Sequence, residues 1–497
     1  MITSKAKKPK IHDAVSAGGA PITATVDTLE RMTLEARFAC PSCAPEAGPL
    51  VATSDAATCP ACGTRYPMIA CGETVIPWLV PRPDEARREW SARYRAFLLT
   101  VTSEHNRLNR ALADERLGAA GRRRIAGALA AKRAHRQQAM KLLAPVGLDC
   151  EDFVPAMTSV LQCTVPRNQH LLSYADNVFR DWAWDNGEND ALLAAVEAVL
   201  SADSRDNLGA VLCLGAGASR LPYDVHRRFS PCLSVALDLN PLLLLVACRV
   251  IQGQHVSLHE FPAAPLDENA CAVLQQCRAP APLRTGAGGE FRFVLGDATR
   301  PPFQRGSFDT VFTPWLIDII HEDLRVFIPE INRLLPRGGV WINSGSLAFF
   351  HDDPKRCYSE AEVLERVEAC GFEILAVDHK EVPYLCSPHS ANGRIERIVS
   401  FAAKKQDEAE VVRGGSSLPE WILDTSQAVP SSAESVLLSS SHLLLAQVWA
   451  AIDGKRSIEA ISRLVAREYG LSLDECVHAL RRILTDAWER GGPLDTL

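Results

Sequence analysis

The sequence predicts an α/β fold: a doubly wound, mostly parallel sheet, with a small cysteine-rich module before it and a helical segment after it. Three observations carry this. Short apolar runs recur at Val211–Leu214, Leu233–Leu237, Phe291–Leu295, Thr310–Phe312 and Val340–Asn343. Helical stretches separate them, the pattern of successive βα units. The first run turns directly into Gly215-Ala-Gly217-Ala-Ser-Arg220, and the second is closed by Asp238.

The chain has 497 residues, too many for one core, so several domains are expected. A formal net charge of −7 gives no overall pull toward nucleic acid or anionic membrane. The basic start, MITSKAKKPKIHD, is not followed by an apolar run, and no stretch reaches the ~18 apolar residues of a membrane span. Sixteen cysteines are present, four of them in two CxxC pairs and many others inside apolar runs. That usage fits a reducing compartment with one metal site, and the cytoplasm is the expected location.

Residues 1–34 are polar and without period, and are expected to be disordered. Residues 35–81 hold Cys40-Pro-Ser-Cys43 and, after fifteen residues, Cys59-Pro-Ala-Cys62. Two such knuckles close a tetrahedral four-thiolate zinc site, which leaves no open position and is therefore structural. The segment FACPSC…TCPACGTRYPM…VIPWLV resembles the zinc ribbon of the tRNA-methyltransferase activator proteins. Residues 82–170 read as helical and carry many arginines. A solvated helix face explains them more simply than a nucleic-acid patch, because few aromatics interleave them.

The core is expected over 171–406. Its small-residue turn at Gly215 and Gly217 lets a ligand approach the backbone, and the next helix N-terminus favours negative charge. Asp238 is placed to accept hydrogen bonds from ribose hydroxyls. A nicotinamide dinucleotide would satisfy the same features, but its third glycine is replaced by Arg220. Three further segments resemble class I S-adenosylmethionine-dependent methyltransferases. Leu295-Gly-Asp297-Ala298 would meet adenine, Ser307-Phe-Asp309-Thr-Val-Phe would form strand four, and Leu334-Leu-Pro-Arg-Gly338-Gly339-Val-Trp-Ile would lead into strand five. Asn240 and Pro314 complete the expected cofactor set.

Across roughly 173–405 the sequence also resembles the carnosine N-methyltransferase family. Asn177-Val-Phe-Arg180-Asp-Trp182 resembles that family's Arg-Asp-Trp element, which implies that Arg180 binds the methionine carboxylate of the cofactor. Thr313-Pro-Trp315-Leu-Ile-Asp318 resembles its segment after strand four, and Gly338-Gly-Val-Trp-Ile-Asn343-Ser-Gly345-Ser-Leu its strand-five run. Here Asn177 stands for a glutamine and Ser219 for a glycine. Phe350, one place before His351, aligns with an imidazole-contacting histidine. Tyr384 is the only tyrosine in Val382–Phe401.

Methyl transfer from a sulfonium is an in-line displacement, so the protein mainly aligns and desolvates the reactants. An imidazole acceptor must be neutral at attack, and a carboxylate on its other nitrogen would hold the tautomer. Asp318 is the candidate catalytic residue for that task, with Trp315, His351 and Tyr384 as candidate acceptor contacts. A helix-start acid facing solvent is the plainer reading of Asp318. The acceptor is expected to be a small molecule or peptide, containing histidine in one reading. A tRNA or protein methyltransferase, and a non-catalytic scaffold, are the alternatives. After a linker at 407–441, residues 442–497 resemble the helical part of PqqD-like domains, which bind peptides and imply a peptide or protein partner. There Ser457 reads as an N-cap, with Ile461 and Leu464 on one helix face.

Overall fold

The computed structural model describes residues 33–43, 48–53, 55–148, 171–172, 174–205, 207–283, 289–320, 322–351, 353–411, 421, 424–430 and 443–489. The start expected to be disordered falls almost wholly on residues 1–32, and most of the expected linker on 412–442. Apart from Trp421 and residues 424–430, both lie outside the described residues.

The cysteine module contributes helix α1 (Leu34–Arg37) and strands β1 (Val51–Ala52), β2 (Ala56–Thr58), β3 (Arg65–Cys71) and β4 (Thr74–Leu79). Helices α2 (Pro83–Leu112) and α3 (Ala119–Leu143) follow, then α4 (Ala175–Trp182) and α5 (Glu188–Leu200). The core runs β5 (Ala210–Leu214), α6 (Arg220–Phe229), β6 (Leu233–Asp238), α7 (Pro241–Ile251), β7 (Val256–Glu260), β8 (Val273–Cys277), β9 (Glu290–Gly296), β10 (Thr310–Pro314), α8 (Leu324–Leu334), β11 (Val340–Gly345), α9 (Glu360–Ala369), β12 (Phe372–Tyr384) and β13 (Arg394–Lys405). Helices α10 (Leu443–Ala450), α11 (Ile458–Tyr469) and α12 (Leu473–Glu489) are the last described elements.

Among the described residues, eleven strands form one sheet in the order β1-β2-β3-β4-β9-β6-β5-β10-β11-β13-β12. Its central six, β4 to β11, are parallel; five of them are the predicted apolar runs, and β4, from the cysteine module, adds a sixth that the sequence did not predict. β5 and β10 are buried along their whole length, which is why they read as continuous apolar runs rather than alternating ones. β13 runs antiparallel between β11 and β12. β7 and β8 form a separate antiparallel pair, inserted between α7 and β9.

Side chains alternate between two cores, one on each face of the sheet. Val211 and Cys213 point into one, with Trp78, Trp90, Phe179, Trp182 and the leucines of α7. Ala210, Leu212 and Leu214 point into the other, with Leu79, Phe38, Phe303, Phe327 and the cysteine module. Helix α7 is buried almost all round, and each fully buried leucine from Leu242 to Leu245 contributes about 1.5–3 kcal/mol.

Helices α2 and α3 bury Trp90, Tyr94, Phe97 and Val101 together with Leu142 and Leu143. Arg122, Arg123 and Arg124 are exposed on the outer side. The last three helices build a third core from Val448, Trp449, Ile458, Ile461, Val465 and Leu484. Ser457 Oγ accepts from the Ala460 amide at 3.2 Å, the expected N-cap. The expected helix face is corrected by one position: Val465 is buried beside Ile461, whereas Leu464 is 49% exposed. No described helix is long and apolar enough to cross a membrane.

Candidate functional site

The glycine turn after β5 is shaped by its backbone. Gly215 has φ +63°, and a Cβ there would lie 2.6 Å from Leu316 Cδ1, so only glycine fits without a shift. Gly217 has φ +57° and open space where a Cβ would be. Its amide donates to Asp238 Oδ2 at 2.8 Å, and the Asn240 amide donates to Oδ1 at 2.8 Å. Burial pushes the Asp238 carboxyl up to about 6 against those two hydrogen bonds. Asn240 itself is taken up by the scaffold. Its Oδ1 caps α7 by accepting from the Leu242 amide at 3.0 Å, and its Nδ2 donates to Leu171 O at 3.4 Å.

Asp297 follows β9. Its Oδ1 accepts from the Thr299 amide and hydroxyl at 2.8 and 2.7 Å, and burial raises its pKa. Ala298 is half-buried beside it. Helix α4 lies across the glycine turn: Trp182 Nε1 donates to Ala218 O at 2.7 Å. Arg180, on the same helix, donates from Nε to Asp181 Oδ1 at 2.8 Å. Asn177 Oδ1 is buried and has no hydrogen-bond partner among the described residues, the kind of orphan that a bound ligand or water satisfies. An open glycine turn, an acid at the next strand end and this orphan together fit a nucleoside-type cofactor.

Pro314 ends β10, fully buried and paired with Ser344. Trp315, next to it, has φ +50° and donates its amide to Ser344 O at 3.0 Å. Its ring meets Tyr384 at 4.6 Å between centroids, tilted by 57°. The Arg394 guanidinium sits 4.4 Å from the centroid of the same tyrosine. Burial pushes the Tyr384 phenol up, while the charges of Arg180 and Arg394 pull it down and those of Asp318 and Glu396 push it up further. Trp315 and Tyr384 are in ring contact, and Arg180 and Asp318 are near enough for their charges to act on the Tyr384 phenol. Asp318 Oδ2 accepts from Ser346 Oγ at 2.6 Å and from the Ala348 amide at 3.1 Å, and burial raises its pKa. It is held by the loop after β11 rather than left as a solvated helix-start acid. His351 lies further along that loop, where its Nδ1 accepts from the Asp353 amide at 2.9 Å. Phe350 is 95% exposed.

Sequence reasoning missed a recess beside Tyr384 that opens to solvent. Asp176, Trp184, Glu260, Ser387 and Arg394 are among its lining residues. Glu260 is buried; it accepts from Trp184 Nε1 at 3.0 Å, from Gln275 Nε2 at 2.6 Å and from the Ser387 hydroxyl. Burial, and next the Glu260 charge, raise the pKa of Asp176.

In the N-terminal module the four sulfurs of Cys40, Cys43, Cys59 and Cys62 lie within 4.8 Å of one another. Cys40 and Cys62 are 3.7 Å apart, and Cys43 and Cys59 are 3.9 Å apart. A tetrahedral zinc with bonds of about 2.3 Å sets its sulfurs about 3.8 Å apart. The donor set and the spacing both fit zinc.

The sequence model of the carnosine N-methyltransferase family matches residues 161–407. Solved structures similar to the chain include a SAM-dependent methyltransferase from Methanosarcina mazei, at 16% identity over 42% of this chain and 97% of that one, with a TM-score of 0.29. Another is a SAM-dependent methyltransferase from Mesorhizobium loti, at 13% identity over 44% and 100%, with a TM-score of 0.29. A third is a geranyl diphosphate C-methyltransferase from Streptomyces coelicolor A3(2) solved with S-adenosyl-L-homocysteine, at 13% identity over 43% and 75%, with a TM-score of 0.29. None of the curated proteins compared matches the chain. The family match spans the glycine turn, both strand-end acids and the Trp315–Asp318 segment; through residues 161–407 the chain is similar to the carnosine N-methyltransferase family, and it is an S-adenosylmethionine-dependent methyltransferase.

Proposed function

We propose that the chain methylates a ring nitrogen of a small or peptidic, histidine-containing acceptor. The observation that carries this is Asp318. It is a partly buried carboxylate held by Ser346 and Ala348 at the end of β10, next to the Trp315–Tyr384 aromatic pair. S-adenosylmethionine supplies an electrophilic methyl on its sulfonium when bound. Arg180 would hold the methionine carboxylate, Asp238 the ribose hydroxyls, and Asp297 with Ala298 the adenine edge. Gly215, Gly217 and Pro314 would line the path between them.

On the acceptor side, Asp318 would accept the N–H of a neutral imidazole and so turn its other nitrogen toward the methyl. As that nitrogen gains a methyl the ring becomes cationic, and the carboxylate stabilises the charge where it develops. Trp315 and Tyr384 offer faces for a flat ring and keep water from it. The recess beside Tyr384 gives the rest of the acceptor a place, and its carboxylates Asp176 and Glu260 favour a cationic group there. The Cys40, Cys43, Cys59 and Cys62 site would hold structural zinc, and the three C-terminal helices would recruit a peptide or protein.

The test is transfer of labelled methyl from S-adenosylmethionine to carnosine and to short histidine-containing peptides, with the product sites read by mass spectrometry. Label on an imidazole nitrogen is the expected result. Label on RNA, or on no histidine compound, would overturn the acceptor assignment.

A further inference from the structure

We propose that the four-cysteine cluster, when it holds zinc, is a wall of the cofactor site, and that its occupancy sets the chain's affinity for S-adenosylmethionine. This rests on the reading of Asp297 and Ala298 as the adenine-facing segment.

The cysteine module grips that segment from both sides. On the strand side, β4 pairs with β9 at Trp78↔Leu295 and Leu79↔Gly296, directly before Asp297. On the loop side, residues 37–39 bind the chain that leaves Asp297. The Ala39 amide donates to Pro302 O at 2.9 Å, and the Gln304 amide donates to Arg37 O at 2.7 Å. Gln304 Nε2 donates to Phe38 O at 3.0 Å, and the rings of Phe38 and Phe303 meet at 5.9 Å. The residue after Ala39 is Cys40.

Both ends of the cluster therefore reach the same few residues. Cys40 and Cys59 are themselves buried in the core that contains Leu79, Leu237, Val294 and Phe303. Tyr66, fully buried on β3, brings its hydroxyl to 3.0 Å from Cys40 Sγ. The family match begins at residue 161, so this wall lies outside the matched region.

The module is poorly equipped to hold its shape without metal. β1 and β2 have two and three residues, and four sulfurs crowd within 4.8 Å. In such small modules the metal supplies folding free energy directly. When it leaves, residues 37–39 and β4 lose their anchor, and β9 becomes a free sheet edge. Binding the adenine end then carries the added cost of ordering residues 297–304. Coupling between two ligands is reciprocal, so the cofactor must also strengthen retention of zinc.

The experiment uses the full chain purified with zinc. Affinity for S-adenosylmethionine is measured by calorimetry before and after the metal is stripped, with zinc counted by elemental analysis and folding followed by circular dichroism. Metal loss should weaken cofactor affinity by about tenfold, within the usual range of coupled sites. Zinc should restore it, and the cofactor should slow release of zinc to a chelator. The second variant is Ala39→Pro, which keeps every cysteine and removes the N–H given to Pro302. Phe38 already has the extended backbone, φ −69° and ψ 136°, that a following proline favours. Weaker cofactor binding with zinc retained is expected there, and this variant decides the matter if the stripped chain unfolds. Equal affinity with and without zinc in folded protein, unchanged affinity in zinc-loaded Ala39→Pro, or a chain that takes up no zinc would each overturn the proposal. A zinc-loaded wild-type chain that fails to bind the cofactor would instead overturn the functional reading beneath it.

Discussion

Two carboxylates carry opposite consequences for pH and charge. Asp318→Asn keeps the shape and an accepting oxygen but removes the charge. Turnover should fall by about 10²-fold, the scale for losing one electrostatic stabiliser, with cofactor affinity nearly unchanged. Steady-state kinetics beside calorimetry reads both, and undiminished turnover would take Asp318 out of the mechanism. Asp238 has a pKa pushed up to about 6 by burial. The unfolded chain would hold it near about 3.9, so this group alone stabilises the fold as pH drops below about 6 and costs stability above it. Cofactor binding runs the other way, because ribose hydroxyls donate to the ionised form. Affinity should weaken below about pH 6, approaching tenfold per pH unit. Calorimetry between about pH 5 and about pH 8 checks this; a flat profile would mean that Asp238 does not hold the ribose.

At the scale of elements, five of the six parallel strands were legible because a strand buried on both faces reads as a run of mostly apolar residues; β4 was not, because it belongs to the cysteine module. The acids at their ends were legible because strand ends are where a parallel sheet presents ligands. The acceptor recess was not legible. Glu260 and Ser387, which touch across it, are 127 residues apart, and no spacing rule joins them. A local signal did exist, since Val256-Ser-Leu-His-Glu260 is buried at every second residue, the period of a half-buried strand. The C-terminal helix face was misread at Leu464 for a similar reason: both Leu464 and Val465 suit the helical period, and only packing chooses between them. The glycine turn offers a test. Ser219 stands at φ +67° with its hydroxyl buried and unpartnered among the described residues. Left-handed backbone costs a non-glycine residue about 1–2 kcal/mol, and glycine's greater chain entropy offsets about 0.5–1 kcal/mol of that. Ser219→Gly should therefore stabilise the chain by about 1 kcal/mol once the orphaned hydroxyl is also removed. Thermal unfolding measures it; a lower midpoint would mean that the serine hydroxyl has a partner in solution.

At the scale of the whole molecule, the three cores are unequal in what they share. The two on the faces of the sheet divide the same strands between them, and the cysteine module belongs to both through Trp78 and Leu79. Removing either would expose the other. Among the described residues, the third, around Trp449, Ile461 and Leu484, takes its buried members from Val429 onward, with Trp421, the first described residue after 411, packed against it. It contributes no residue to the glycine turn, to the strand-end acids or to the Trp315–Tyr384 pair. The C-terminal helices should therefore recruit a partner rather than join the chemistry. Deleting the chain from Gly414 onward should leave S-adenosylmethionine affinity within about threefold of the full chain, the spread expected for sites that share no contacts. It should also leave turnover on a free small acceptor intact, while turnover on a peptide acceptor falls through a higher KM. Calorimetry and kinetics on the folded truncation read the three quantities separately. A collapse of cofactor affinity in protein that still melts cooperatively would place these helices in the catalytic core.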